Sequence, residues 1–222
     1  MKTLVEIIKR ATDPAVKRAI HQIWSKMPPS HQIGPTVEHM GLAGENGEQW
    51  ANIHTCVFSG AEASKTYLEV GVRRGHSFLS ALTANPTLDA SAADMWCGEY
   101  GGEENTRKLF EQTVTQLKPG IKFSVIEGDS KITLPELSKQ GRHFDMITID
   151  GDHEPEPAEI DLQNADNLLD AGGILIFDDV VHPRYPGLKQ VWEDFRKNRP
   201  LWEFSYFDWS VGTGIGIKYV AK

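Results

Sequence analysis

From residue 66 onward, short apolar or β-branched runs alternate with longer stretches whose apolar residues recur at helical spacing. That alternation is the mark of a parallel sheet covered by helices. Strands are predicted at Thr66 to Gly71, Ala90 to Asp94, Ile121 to Glu127, Phe144 to Asp150, Gly173 to Asp179, Leu201 to Phe207 and Gly214 to Val220. Phe78 to Ala84 reads as a helix after the first strand. Glu103 to Leu117 reads as another, with Leu109, Phe110, Val114 and Leu117 on one face and Lys118-Pro119-Gly120 as its stop. A further crossover helix carries Ile160, Leu162, Ala165, Leu168 and Leu169 and ends before Ala171-Gly172-Gly173. Only Asp208 to Thr213 separates the last two runs, too few residues for a helical crossover, so these strands should form an antiparallel hairpin.

Residues 1 to 65 follow no such alternation. A helix is predicted from Asp13 or Pro14 to Trp24, then a loop rich in Pro, Gly and His from Met27 to Gly47, then a short helix to Gly60. This segment is too short to bury much core alone, so the expectation is a helical and loop cap on a main domain spanning 66–222. It is also the natural place for a subunit contact in a homo-oligomer.

Composition narrows the partners. In 222 residues the chain has 31 acidic and 23 basic side chains, a net charge of -8, which disfavours phosphate backbones and anionic membrane surfaces. Cys56 and Cys97 are too few for a disulfide framework and too far apart for a metal-binding pair, which fits a reducing compartment. Met1 to Arg10 is broken by Lys2, Glu6, Lys9 and Arg10, and no run approaches the roughly 18 apolar residues needed to cross a bilayer. The expectation is a cytoplasmic protein with a small-molecule partner, neither nucleic acid nor membrane.

Chemistry gathers where the strands end. Glu69-Val70-Gly71-Val72-Arg73-Arg74-Gly75-His76-Ser77 is a strand leading through a glycine-spaced turn into a helix. Such a turn lets backbone approach a ligand, and the helix start offers unpaired N–H groups. Dinucleotide binding uses similar turns. Asp94 closes the second strand, where an acid can accept from both hydroxyls of a ribose, and Asp129 in Gly128-Asp129-Ser130 closes the third. The competing reading of Asp94 and Asp129 is helix capping.

The fourth and fifth strands end in Ile149-Asp150-Gly151-Asp152-His153 and Phe177-Asp178-Asp179. Neighbouring strands lie about 4.8 Å apart, so several carboxylates crowd one edge, and a divalent cation resolves that conflict. Oxygen ligands favour a hard ion, Mg2+ first, with Mn2+ or Ca2+ as alternatives. Consecutive strand residues face opposite sides, so Asp178 and Asp179 can share an ion only if the strand is already turning.

With these pieces in order, Tyr67 to Val220 resembles the class I S-adenosylmethionine-dependent methyltransferases. The motifs around Asp150-Gly151-Asp152-His153, Gly172-Gly173-Ile174 and Phe177-Asp178-Asp179 are similar to those of metal-dependent O-methyltransferases of sugars and other natural products. The resemblance implies a doubly wound, Rossmann-like α/β sheet of seven strands in the order 3-2-1-4-5-7-6, the last antiparallel. It implies that Gly71, Gly75 and Ser77 surround the methionine part of S-adenosyl-L-methionine, with Glu69 supporting the turn. Asp94 would hold the ribose, Met95 would lie on the adenine face, and Asp129 and Ser130 would border its edge. Asp150, Asp178 and Asp179 would be the metal ligands, with Asp150 also bordering the cofactor, and Asp152 the general base. His153 stands where catechol-type enzymes carry a basic lysine, so the base lies between Asp152 and His153. Val72 and Arg73 depart from the small residues common in the turn.

The function implied is methyl transfer to a hydroxyl of a small molecule, a sugar or a phenol. Candidate acceptor contacts are His31, Glu38, His39, Glu45 and Trp50 in the amino-terminal loop, Trp96 and Tyr100 after the second strand, and His182 and Arg184 after the fifth. Two alternatives remain: Asp150-Gly151-Asp152 as the metal grip of a glycosyltransferase, and a non-catalytic nucleoside-binding module.

Overall fold

The computed structural model describes residues 2–28, 51–97, 106–197, 199–208 and 210–220. Helices α1 (Leu4–Ala11), α2 (Pro14–Trp24) and α3 (Ile53–Ala61) precede the first strand. There follow β1 (Thr66–Val70), α4 (His76–Ala84), β2 (Asp89–Asp94), α5 (Thr106–Leu117), β3 (Phe123–Glu127), α6 (Ser130–Lys139), β4 (Phe144–Ile149), α7 (Pro155–Leu168) and β5 (Leu169–Asp178). The chain closes with α8 (Gly187–Arg196), β6 (Trp202–Phe207) and β7 (Thr213–Lys218).

The strands form one sheet in the order β3-β2-β1-β4-β5-β7-β6. Strands β1 to β5 pair in parallel, and β7 runs antiparallel to both β5 and β6. The expected seven strands, order and terminal hairpin are all present. Because the order reverses between β1 and β4, the crossovers leave those two strands in opposite directions and open a crevice beyond their carboxyl ends.

Alternation along the strands builds two cores. Tyr67, Ala92, Met146, Ile176 and Ile215 pack beneath Ile7 of α1, Ile20 of α2, Val57 of α3, Leu79 of α4 and Phe110 of α5. Leu68, Ile147, Leu175 and Phe177 face Leu134 of α6, Leu162 of α7 and Trp192 of α8. The described amino-terminal helices therefore share the sheet's own core. No helix among the described residues is long and apolar enough to cross a membrane.

Periodicity did not announce three helices. α1 has only eight residues and depends on a capping box, in which Thr3 accepts from the Glu6 N–H while the Glu6 carboxylate accepts from the Thr3 N–H. α6 contains Pro135, and α8 begins on Gly187 behind Pro186. A second difference concerns Ala171-Gly172-Gly173, predicted to separate helix from strand. α7 ends at Leu168 and β5 begins at once. Phe144 pairs with Leu169 and Met146 with Ile174, so the residues between them bulge from the ladder, with Gly172 at φ +91°.

Candidate active site

The turn after β1 is the first wall of the crevice. Gly71 has φ +85°, and a Cβ there would stand 1.9 Å from the Asp150 carbonyl oxygen, so the β1 and β4 loops touch backbone to backbone. Gly75 has φ +82° and caps α4, with no room for a Cβ against the Phe110 ring at 2.6 Å. Behind the turn, Glu69 is fully buried and accepts hydrogen bonds from the Tyr67 and Ser77 hydroxyls. Burial pushes its carboxyl up to about 7, an effect that those two donors only soften. Ser77 thus spends its hydroxyl on Glu69 and ties the helix start to the strand end.

Asp94 sits at the end of β2 as expected. Its Oδ2 accepts from the Arg73 N–H at 2.7 Å and its Oδ1 from the Trp96 N–H at 2.6 Å. Each oxygen keeps one lone pair for a ligand. Met95 next to it is 49% exposed, an apolar side chain open at the mouth of the crevice. Trp96, held at φ +43°, donates its indole N–H to the Arg73 carbonyl and stacks on Phe110 at 5.8 Å. Asp129 takes the capping role: it is the N-cap of α6 and accepts from the Lys131 N–H at 2.9 Å. Ser130 opens that helix.

On the other side of the crevice, Asp150, His153 and Asp179 each present a ligating atom, all within 4.8 Å of one another. His153 Nε2 lies 2.6 Å from Asp179 Oδ2. Asp179 has φ +61°, so the chain has already left the strand geometry there and turns this carboxylate away from the side that a regular strand would give it. Asp178 does not join this group, contrary to the expected Asp150, Asp178 and Asp179 set. It still lies in the regular ladder opposite Thr213 and accepts from that hydroxyl at 3.0 Å. The third group near Asp150 and Asp179 is His153. Asp152 also stands apart, with Oδ1 accepting from the Glu154 N–H at 2.9 Å.

Burial and mutual repulsion set the electrostatics of this edge. Burial first, then Asp178 and Asp179, hold the Asp150 carboxyl well above the usual range. Burial and Asp179 likewise raise Asp178. The hydrogen bond to Asp179 raises His153 against the opposing pull of burial. Its ring stacks on Tyr185 at 4.8 Å, and Tyr185 in turn lies 4.9 Å from His182.

Two residues here escaped the sequence reading. Tyr185 had no motif to mark it. Asp161 did carry a signal: it falls in the α7 period between core residues Ala158, Leu162 and Ala165, where an acid is out of place. The acceptor candidates His31, Glu38, His39, Glu45, Trp50 and Tyr100 lie outside the described residues.

The sheet order and the crevice are those of the class I S-adenosylmethionine-dependent methyltransferase fold. Residues 68–180 match the family model described as a methyltransferase domain, and the chain belongs to that family. A comparison with curated proteins found no match. Among solved structures, the chain is similar to the S-adenosylhomocysteine-bound Podospora anserina methyltransferase PaMTH1, with a TM-score of 0.64 and 15% identity over 100% of this chain and 98% of that one. It is also similar to the O-methyltransferase from Bacillus cereus in complex with S-adenosylhomocysteine, with a TM-score of 0.62 and 15% identity over 92% and 90%. The calicheamicin methyltransferase CalS11 gives a TM-score of 0.60 and 13% identity over 92% and 91%. At these identities the likeness is one of fold.

Proposed function

We propose that this protein is an S-adenosylmethionine-dependent O-methyltransferase that acts, with a divalent cation, on a hydroxyl of a small molecule such as a sugar or a phenol. One observation carries the reading. The Asp150, His153 and Asp179 donor set backs directly onto the glycine turn, with Gly71 packed against the Asp150 backbone. A methyl donor on the turn and an acceptor oxygen at the donor set would then be neighbours.

The residues fit both groups. Gly71 and Gly75 leave a cradle with no Cβ, and Asp94 keeps two lone pairs at the ribose position. Two carboxylates and an imidazole within 4.8 Å suit Mg2+ or Mn2+. When bound, the cation supplies positive charge that lowers the pKa of an acceptor hydroxyl. Asp150 and Asp179 would hold it, His153 would complete the set or take the proton, and Asp152 is the second candidate for the base. The turn residues align the donor, and the apolar walls at Met95 and Trp96 exclude water from it. Free cysteines at Cys56 and Cys97 agree with a cytoplasmic location.

The test is transfer of a labelled methyl group from S-adenosylmethionine to a panel of glycosides and catechols, with Mg2+ or Mn2+ and with a chelator. Chelator-sensitive transfer supports the reading. Transfer unchanged by chelator would remove the cation from it, and turnover of a nucleoside diphosphate sugar instead would replace it.

A further inference from the structure

Asp150 and Asp179 each follow directly on the last residue of a strand, β4 and β5, so the sheet sets where they stand. His153 has no such support. It lies farther along the loop between β4 and α7, with its side chain 20% exposed, and an imidazole there has two side-chain torsions to fix. The group against its ring face is Tyr185. The two rings lie 4.8 Å apart and 20° from parallel, with His182 against the same tyrosine at 4.9 Å. Local structure brings Tyr185 to this place. After Asp179 the chain folds through consecutive turns, in which the His182 N–H donates to the Asp179 carbonyl, the Tyr185 N–H to the His182 carbonyl and the Leu188 N–H to the Tyr185 carbonyl, at 3.0, 3.0 and 3.1 Å. Leu188 is buried as α8 starts. Gly187 packs on the loop that carries His153, where a Cβ would stand 2.5 Å from the Pro155 ring. Tyr185 itself packs half-buried against the core cluster of Leu162 and Trp192. The tyrosine is anchored, so it constrains the histidine.

We propose that Tyr185 is a positioning residue, whose ring holds the His153 imidazole in the plane that keeps Nε2 on Asp179 and beside Asp150. Its part in catalysis rests on the methyl-transfer reading above, in which His153 meets the cation or the acceptor's proton. The ring lock rests on the stacking geometry alone. An aromatic pair of this kind changes the population of the held orientation by a factor of roughly 2 to 10. The stack uses the ring face and not the phenolic oxygen, so phenylalanine should replace the tyrosine, whereas leucine supplies apolar bulk without a flat face.

The experiment is nitrogen-edited NMR of the imidazoles in the whole chain without added metal, with His153→Gln to assign the His153 signals. In the wild type the His153 ring N–H should be visible, protected from exchange by Asp179, and the ring's carbon-bound protons should give cross-peaks to Tyr185. Tyr185→Phe should keep the N–H signal, and Tyr185→Leu should lose it to exchange while its far-ultraviolet circular dichroism stays native. In transfer assays on the glycosides and catechols, Tyr185→Leu should lower kcat roughly 2- to 10-fold with KM for S-adenosylmethionine unchanged, and Tyr185→Phe should restore it. A wild type without the protected N–H or the cross-peaks overturns the lock, and that observation requires no variant to fold. So does an N–H signal unchanged in Tyr185→Leu or lost in Tyr185→Phe. A lost signal with unchanged kcat overturns the positioning role. Failure of the wild type to methylate any acceptor would sink the methyl-transfer reading and the catalytic part of this inference with it, whereas the ring signals decide the lock separately.

Discussion

Replacing Asp150 by Asn keeps the side chain's shape and removes one negative charge from the mouth of β4 and β5. The consequence can be worked from distances. The ligating atoms of Asp150, His153 and Asp179 lie within 4.8 Å of one another. Two carboxylates at that separation repel by about 3 kcal/mol at an effective dielectric constant of about 20. The His153 imidazole on Asp179 offsets part of that repulsion, so a net relief of about 1 to 2 kcal/mol is expected for Asp150→Asn in the ligand-free protein. The assay is urea denaturation at slightly alkaline pH, with and without Mn2+. Without the ion the variant should be the more stable protein. With Mn2+ at about 100 times its dissociation constant, the wild type should gain about 2.7 kcal/mol and the variant little, so their order reverses. An Asp150→Asn variant that is less stable than the wild type without metal, or that Mn2+ stabilises as much as the wild type, would refute the idea that the acids are held together for a cation.

Gly71→Ala should destabilise by about 2 kcal/mol or more, because a left-handed residue acquires a Cβ that meets the Asp150 carbonyl at 1.9 Å; urea midpoints measure this, and an unchanged midpoint contradicts the contact. Asp94→Asn should weaken S-adenosylhomocysteine binding roughly 10-fold or more, since an amide cannot accept from both the Arg73 and Trp96 N–H groups and still serve a ribose; calorimetry with equal affinities would disprove it. Stability should fall as pH rises from about 4.5 to about 8, the span over which Glu69 and Asp178 keep protons in the fold that the unfolded chain has released. Glu69, raised to about 7, holds its proton in the fold where the unfolded chain has released it, so its contribution is lost as pH rises through that value. His153, raised by Asp179, acts in the same direction. His54 opposes them below about 6.5, because burial holds it neutral, with its value pushed down to about 3, while the unfolded chain takes up the proton. Glu69→Gln should flatten the fall of the urea midpoint between about pH 4.5 and 7, and an unchanged slope over that span would contradict the assignment.

Why was so much of the sheet legible and less of the site? A strand buried on both faces must be apolar throughout, so Ile147-Thr148-Ile149 and Ile174-Leu175-Ile176-Phe177 declare themselves, and the acids that follow mark where each leaves the core. The site depends instead on how the chain turns after those strands. Asp179 reaches the common point through a positive φ that no periodicity encodes, Asp178 remains in the ladder with Thr213, and His153 arrives by way of the Gly151 loop. Helix α6 illustrates the same limit. Its start is fixed by the Asp129 cap, which reads equally well from sequence as a ligand contact.

The most direct test is an electron-density map from crystals soaked with S-adenosylhomocysteine and Mn2+, recorded where manganese scatters anomalously. The account predicts the nucleoside across the carboxyl ends of β1, β2 and β3, with its ribose on Asp94, and an anomalous peak shared by Asp150 and Asp179. A nucleoside bound elsewhere, or one correctly seated with no manganese at those carboxylates, would contradict it.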